Sequence, residues 1–191
     1  MTGSGRPGGP AGLAVLVVVG TDSHPFDRLM GWLERWYVRR ADRPRLLVQH
    51  GSSRVPRIPG ARAYLAHEQM QRAMREAVLV VTHGGPATIT EARRTGHLPI
   101  VVPRDPAHAE HVDDHQLRFA HRLSRLDTIR LCESEPDLAA ALDRGLAEPA
   151  AFALPEPAAP GPAGQTAVRV GRIVEDLVEL ARQRRNGRGR R

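Results

Sequence analysis

The sequence predicts an α/β fold built on a Rossmann-like parallel sheet, and three observations support this. Short apolar runs such as residues 13–19 (LAVLVVV) and 78–82 (VLVVT) lack polar alternation, which is typical of parallel strands buried on both faces. Segments with apolar residues at helical spacing, such as 26–39, lie between the runs. Most of the strands end in glycine or polar residues. Right-handed crossovers then bring all strand carboxyl ends to one edge, where such sheets bind ligands.

The other elements follow the same alternation. Strands are predicted at residues 13–19, 45–49, 61–65, 78–82, 99–102 and 128–131. Helices are predicted at residues 26–39, 67–77, 86–95, 109–124 and 135–148. Met70 and Met74 lie four residues apart in the second helix, a spacing that predicts core packing. Gly96 is expected to stop the third helix, and Ser134 to cap the fifth.

A chain of 191 residues fits one domain with a sizeable core. We expect a folded domain at 13–148, preceded by a disordered Gly/Pro-rich tail at 1–12. An Ala/Pro/Gly-rich linker is predicted at 149–164. A further helix at 165–183 is expected to pack on the domain or on a partner, and an Arg-rich tail follows at 184–191.

Composition excludes several classes of protein. Aromatic residues make up only 4% of the chain, which argues against a stacking platform for single-stranded nucleic acid. Cys132 is the single cysteine, so neither an internal disulfide nor a cysteine-rich metal site is possible. No apolar run approaches the roughly 20 residues of a membrane span, and no secretory signal begins the chain. We therefore expect a cytoplasmic protein.

The net charge is +7, and every basic residue other than histidine is an arginine. Much of this charge lies in the tail at 184–191. An arginine run is commonly a solvated surface segment, but it also suits an anionic membrane surface or nucleic acid. The tail alone leaves these alternatives open.

The turn after the fourth predicted strand is the strongest local signal. His83-Gly84-Gly85 follows the strand, and Pro86 suits the first position of a helix. The free amides of a helix N-terminus and its dipole form an anion site. Glycines between a strand and a helix can also be only a tight connection, so the turn predicts either a diphosphate site or a compact loop.

Other ligand motifs are absent. The first strand lacks GxGxxG, the chain has no Walker sequence and no lysine, and GxSxG does not occur. His111 and His115 are four residues apart, with His108 and Glu110 nearby, but the set is not HExxH and no cysteine completes it. We expect no metal.

Two acidic positions suit a nucleotide sugar. Glu91, one helical turn after the glycines, could accept two hydrogen bonds from a ribose diol, or could simply favour the helix dipole. Residues 113–116 (DDHQ) carry an acid, an imidazole and an amide that could contact sugar hydroxyls, although an ordinary polar helix face has the same composition. Diphosphate, ribose and sugar contacts along one edge describe a nucleotide-sugar site.

Five separated motifs carry a family resemblance. They are Gly20-Thr21 with residues 25–29 (PFDRL), then 66–70 (AHEQM), 82–86 (THGGP), 99–104 (PIVVPR) and 110–116 (EHVDDHQ). Together they resemble the glycosyltransferase family 28 C-terminal domain. The resemblance is to small stand-alone members, such as the catalytic subunits of bacterial exopolysaccharide β-1,4-glucuronosyltransferase and of the eukaryotic dolichol-linked UDP-GlcNAc transferase.

The resemblance implies the C-terminal, donor-binding half of a GT-B enzyme, an inverting hexosyltransferase that uses a UDP-sugar without a cofactor or metal. It also implies a membrane-associated partner subunit that binds a lipid-linked saccharide acceptor. The chain would then lie at the inner face of the cell membrane. The general base is expected from the partner, with His24 as the candidate within this chain. The donor contacts implied by position are Gly20, Thr21, Leu65, His67, His83, Gly84, Gly85, Pro86, Ala87, Thr88, Glu91, Arg104, Asp114, His115 and Gln116.

The sequence departs from the family pattern at Ala87, where glycine is usual. Alanine is tolerated in the first turn of a helix, so the phosphate contact is expected to move only slightly. Proline and alanine between Arg104 and His111 leave the sugar specificity open. The alternatives are a nucleotide-sugar-binding module without catalysis and a nucleic-acid binder that uses the arginine tail.

Overall fold

Short β-branched runs and amphipathic segments form the predicted alternation of strands and helices in the computed structural model, which describes residues 12–154. The strands are β1 (Val15–Val18), β2 (Leu46–Gln49), β3 (Ala61–Arg62), β4 (Leu79–Thr82), β5 (Ile100–Val101) and β6 (Arg130–Leu131). The helices are α1 (Asp27–Arg39), α2 (His67–Glu76), α3 (Pro86–Arg94), α4 (His115–Ser124) and α5 (Glu135–Ala147).

All six strands form one parallel sheet in the order β3-β2-β1-β4-β5-β6. β1 lies at the centre, with Val15 in register with Leu46 on one side and Leu79 on the other. The winding changes direction between β1 and β4, so a crevice opens beyond their carboxyl ends. The predicted fold class is confirmed, and the two glycine loops lie at this switch point.

The buried side chains of β1 alternate between two faces of the sheet. Val15, Val17 and Val19 join a cluster with residues of α1 and α5. Leu16 and Val18 join a second cluster on the other face, against α2 and α3. Met74 is fully buried and Met70 partly buried in that second cluster, so their predicted role in the core is confirmed.

The helix predicted over 109–124 was wrong in its first part. Residues 106–108 form a short 3₁₀ helix that ends at Ala109, whose φ of 56° is left-handed and cannot continue a helix. α4 begins only at His115, whose amide donates to Asp113 Oδ1 at 3.1 Å. A hydrogen bond from a backbone amide to the side chain two residues earlier competes with helix formation. The segment from 109 to 114 is therefore a loop at the carboxyl edge.

The structure also shortens the predicted linker. Residues 149–152 form a 3₁₀ turn, and Phe152 is buried against the body of the domain. The amide of Leu98 donates to the Phe152 carbonyl at 2.8 Å, and His97 forms a β-bridge with Ala153. Residues 149–154 thus belong to the folded domain. The remaining linker residues, the helix at 165–183, the basic tail and residues 1–11 lie outside the described residues.

Two other expectations concern membrane spans and the thiol. Within residues 12–154, none of the helices has the length and apolar character needed to cross a membrane. Cys132 is buried, and burial raises the pKa of its thiol to about 12. The thiol is therefore protonated at neutral pH, as expected of a core cysteine.

Candidate functional site

Four loops meet at the carboxyl edge of the sheet. The loop after β1 contacts the loop after β2, where Ser52 Oγ donates to the Asp22 carbonyl at 3.2 Å. The turn after β4 lies on the other side, where the His83 amide donates to the Val18 carbonyl at 3.3 Å. The loop after β5 leads to α4, which reaches the same turn at Gly84. The predicted convergence of the rim segments follows from the sheet order.

His83 fills the space between two glycines. A Cβ built at Gly20 would lie 2.8 Å from His83 Cε1, and one at Gly85 would overlap His83 Nε2. Both positions therefore require glycine, because the imidazole occupies the volume of a side chain at each. His83 is thus a wedge that sets the spacing between the loop after β1 and the start of α3.

This packing changes the pKa of the His83 imidazole. Burial, and to a lesser degree the nearby positive charge of Arg104, lower the pKa of His83 from 6.5 to about 4. The imidazole is therefore neutral at physiological pH. It adds no full positive charge to the predicted anion site, where the amides and dipole of α3 would supply the attraction.

We predict that the stability of the domain falls between pH 6.5 and 4 because of His83. The unfolded chain binds this proton near pH 6.5 and the folded chain near pH 4, so the stability present above pH 6.5 is lost as the pH falls. At pH 5 the loss is about 2 kcal/mol in the free energy of unfolding. Urea unfolding at pH 7.5 and pH 5 measures it.

His83→Asn should reduce this pH-dependent difference by the same amount, even if it lowers stability at both pH values. His108→Asn, at an exposed histidine of the 3₁₀ turn, is the control and should shift stability by less than about 0.5 kcal/mol. An undiminished pH slope in His83→Asn would contradict the assignment.

α4 meets the turn at Gly84. A Cβ at Gly84 would lie 2.9 Å from Gln116 Cβ and 3.2 Å from the Gln116 carbonyl oxygen. Gln116 is only 5% exposed, and its Oε1 has no hydrogen-bond partner among the described residues. The predicted residues at 114–116 therefore lie beside the glycine turn, with the N-terminus of α4 next to that of α3.

Gln49 is a supporting residue that the sequence analysis missed. Its Oε1 accepts from the amides of Val19 and Gly20, both at 3.1 Å. Its Nε2 donates to the carbonyls of Gly20 at 2.8 Å and Ala63 at 3.1 Å. This amide fixes the loop after β1 against the segment after β3. A buried glutamine at the end of an otherwise apolar strand was the available signal.

His24 is oriented by Asp22. The Asp22 carboxylate contacts His24 Nδ1 at 2.6 Å, and the imidazole is 36% exposed. A carboxylate on one ring nitrogen fixes the orientation of the ring, which is the arrangement of a general base. The ring centroid of His111 lies 6.0 Å from that of His24, so the loop after β5 approaches the same side chain.

Arg104, a predicted donor contact, supports the rim through hydrogen bonds to the backbone. Its side chain is buried, with Nη1 donating to the His24 carbonyl at 2.8 Å and Nη2 to the Val19 carbonyl at 3.0 Å. Burial lowers the pKa of this guanidinium, and the acidic residues Asp22 and Glu110 raise it. Arg104 thus holds the loop after β1 in place through its carbonyls.

Glu110 is the negative partner of Arg28 behind the carboxyl edge of the sheet. The sequence analysis did not predict this supporting role. Its carboxylate accepts from Arg28 Nε at 2.9 Å and Arg28 Nη2 at 2.7 Å, and from the Asp105 amide at 2.9 Å. Its side chain is 3% exposed. This ion pair ties α1 to the loop after β5.

Glu91 lies one turn into α3, facing α2. Its Oε1 accepts from Gln71 Nε2 at 2.5 Å. Leu65 packs partly buried against the second core cluster at the start of this region. The predicted nucleoside contacts thus lie on the α2 side of the turn, and the predicted sugar contacts lie on the α4 side.

The predicted donor contacts differ in their exposure to solvent. The exposed ones are Thr21, His67, Pro86, Ala87, Asp114 and His115. The partly buried ones are Gly20, Leu65, His83, Gly85, Thr88 and Glu91. Gly84, Arg104 and Gln116 are buried. A ligand at the rim would contact the exposed group directly and the backbone of the glycines.

Comparison with known proteins decides the family. The glycosyltransferase family 28 C-terminal domain matches residues 14–168. The chain belongs to this family. It is therefore a donor-binding domain of a glycosyltransferase, as its motifs implied. No curated protein sequence matches the chain.

Solved structures agree with the fold of this family 28 domain. MurG of Acinetobacter baumannii is 22% identical with a TM-score of 0.55, over 75% of this chain and 44% of that one. The glycotransferase of kitacinnamycin is 20% identical with a TM-score of 0.52, over 78% of this chain and 39% of that one. The chain spans less than half of each structure, and its sheet matches the C-terminal half of GT-B enzymes such as MurG.

Proposed function

We propose that this family 28 domain binds a UDP-sugar and transfers the sugar to a lipid-linked acceptor together with a membrane-associated partner subunit. The observation that carries the proposal is the contact at Gly84, where the N-termini of α3 and α4 meet beside the switch point. Two helix N-termini at one point attract a diphosphate. Glu91 and residues 114–116 flank it on the two sides.

The parts of the donor would divide along this edge. Amides at 85–88 would hold the diphosphate, and Gly85 at the N-cap has no side chain to occupy them. Glu91 would accept from the ribose hydroxyls, with Gln71 holding its other side. The segment 65–67 would flank the uracil, and His115 with Gln116 would contact the sugar.

Transfer would proceed with inversion. The acceptor hydroxyl attacks the anomeric carbon, the bond from that carbon to the diphosphate oxygen breaks, and the hydroxyl proton passes to a base. The N-terminus of α3 stabilises the charge that develops on the leaving UDP. Within this chain His24, oriented by Asp22, is the candidate base. If His24 is not the base, the partner would supply the base as well as bind the acceptor.

The half-enzyme character of the domain also suggests a partner subunit and a location at the membrane. The described residues correspond to the donor half of a GT-B enzyme, so an acceptor-binding half completes the reaction. We propose a membrane-associated subunit for that half, in exopolysaccharide or cell-surface glycan synthesis, with the chain at the inner face of the membrane. The arginines at 184–191 would add attraction to an anionic leaflet, about 1 kcal/mol for each residue near the surface.

We predict that Glu91→Ala weakens UDP binding by about tenfold or more, because a hydrogen bond to a charged group contributes roughly 1.5–3 kcal/mol. Isothermal titration of UDP into the full chain measures it. Glu68→Ala, at an exposed glutamate in the first turn of α2, is the matched control and should bind as the unmodified chain does. Equal affinity in the two variants would contradict the ribose contact.

The transfer step needs its own assay. The full chain with its partner, a lipid-linked acceptor and UDP-glucuronate or UDP-GlcNAc should release UDP. Binding without release in the presence of the partner would favour the non-catalytic nucleotide-sugar module. Absence of binding for any UDP-sugar would overturn the proposed function.

A further inference from the structure

Three side chains of the loop before α4 form a cluster outside the glycine turn. His111, Asp113 and His115 each offer one potential ligand atom, and these atoms lie within 4.8 Å of one another. His111 Nδ1 is 3.4 Å from Asp113 Oδ1, and His115 Nδ1 contacts the same oxygen. Two imidazole nitrogens and one carboxylate oxygen thus converge within a five-residue segment.

The spacing of these atoms suits a metal. Ligands bound at about 2.0–2.1 Å to a tetrahedral ion lie roughly 3.3 Å apart, which matches the distance from His111 to Asp113. His115 Nδ1 is hydrogen-bonded to that same Asp113 oxygen, so a metal would replace this bond and separate the two atoms. We propose that His111, Asp113 and His115 form a binding site for a divalent transition-metal ion, with Zn²⁺ as the ion that this donor set favours.

The local backbone explains why the three side chains converge. The left-handed Ala109 turns the chain before the cluster, and the Asp113 carboxylate caps the amide of His115 at 3.1 Å. The imidazole of His111 lies edge-on to that of His115, with ring centroids 4.7 Å apart. The expected helix would have carried Asp113 to a different face from the two histidines, so the observed loop is what creates the set.

A residue from another loop supports the site. His111 Nδ1 accepts from the Asp113 amide at 3.3 Å and would exchange that bond for the metal, while Asp22 Oδ2 lies 3.8 Å from Nε2 of the same ring. A carboxylate facing the second nitrogen of a metal-bound histidine orients the ring and raises its basicity. Asp22 also holds His24, so the loop after β1 and the loop after β5 share this carboxylate.

The donor set determines the class of ion. Imidazole suits zinc and its neighbours in the first transition row, whereas magnesium and calcium prefer oxygen ligands in larger numbers. Three protein ligands leave a fourth position for water or for an oxygen of a bound molecule. An ordinary surface network of histidine and aspartate is the alternative, and it predicts no saturable metal binding.

The test titrates Zn²⁺ into the full chain, prepared without a polyhistidine tag, by calorimetry. Co²⁺ is added separately, and its visible absorption reports a tetrahedral site. We expect one ion per chain and no binding of Mg²⁺. Asp113→Asn and His115→Ala should each weaken Zn²⁺ binding by at least about tenfold, because even outer-shell changes cost 10–100-fold in metal affinity.

His121→Ala is the matched control, because this exposed histidine lies on the same helix and pairs with Glu133 at 3.1 Å. It should bind Zn²⁺ as the unmodified chain does. Asp113 and His115 are about half exposed, so their variants should fold, and thermal unfolding verifies it. Equal affinity in all variants, or no saturable binding, would overturn the proposal. No nucleotide is present, so a failure of the chain to bind UDP would leave this result unaffected.

Discussion

Glu110→Gln is expected to lower the free energy of unfolding by about 3–5 kcal/mol, the range for breaking a buried ion pair. The Glu110 side chain is 3% exposed and its partner Arg28 is 16% exposed. A neutral amide keeps the size of the side chain but leaves the Arg28 charge buried without a counter-charge. Arg104, also buried, would lose the same nearby negative charge.

The matched control is Glu135→Gln. Glu135 pairs with Arg35 through both carboxylate oxygens in the same way, accepting from Nε at 3.0 Å and from Nη2 at 2.6 Å, but the Arg35 side chain is 55% exposed. Removing a surface pair changes stability by about 0–1 kcal/mol. Both variants raise the net charge by one unit, so general electrostatic effects cancel. Urea unfolding at pH 7.5 measures both, and equal losses would show that burial does not govern the Glu110 pair.

The sheet could be predicted because its information is local. The runs that became β1 and β4 are apolar without alternation, and only a strand buried on both faces accepts such a run. Alternation with amphipathic helices then fixes a parallel sheet, and the sheet brings Gly20 and His83 to one edge. The glycine turn was visible for the same reason, since Gly84, Gly85 and Pro86 are adjacent.

The supports of the site could not be predicted because their partners are distant in the chain. Arg104 donates to the carbonyl of Val19, 85 residues earlier, and nothing near Arg104 in the sequence distinguishes that contact from one with a ligand. Gln49 likewise lies 30 and 29 residues from the two amides that it holds. The sequence alone does not show whether a polar side chain at the carboxyl edge binds a ligand or supports the backbone; only its burial in the fold does.

The start of α4 was missed for a different reason. Helical spacing of polar and apolar residues extends back to Ala109, but two local signals oppose it. Asp105 accepts from the Ala107 amide and Asp113 from the His115 amide, each two residues ahead. These short hydrogen bonds to side chains compete with helix formation. Aspartates at positions 105 and 113 were therefore a sequence signal for a loop before α4.

Gly85→Ala is expected to lower the free energy of unfolding by about 1–3 kcal/mol, the cost of overpacking a filled site. The backbone of Gly85 is ordinary, with φ of −73°, so the reason is space and not conformation. A Cβ there would overlap His83 Nε2, and the ring edge that it meets, Cε1 and Nε2, also lies against Gly20. We expect the clash to displace the start of α3, so UDP binding should weaken by about tenfold or more.

A double-mutant cycle with His83→Ser separates space from other effects. Removing the imidazole leaves room for the new Cβ, so Gly85→Ala should be much less destabilising in the His83→Ser background. The coupling free energy is expected to be about 1–3 kcal/mol. Ala87→Gly, an exposed one-methyl change in the first turn of the same helix, is the control and should show little coupling with His83→Ser.

The cycle also tests the proposed role of the turn in phosphate binding. If the imidazole is needed to position the turn, the double variant should regain stability but not UDP affinity, because the turn is then no longer held against Gly20. If stability and UDP affinity recover together, the amides of α3 are positioned without the imidazole, and His83 contributes only to packing. Independent effects of the two substitutions on stability would contradict the contact between His83 and Gly85 from which both expectations follow.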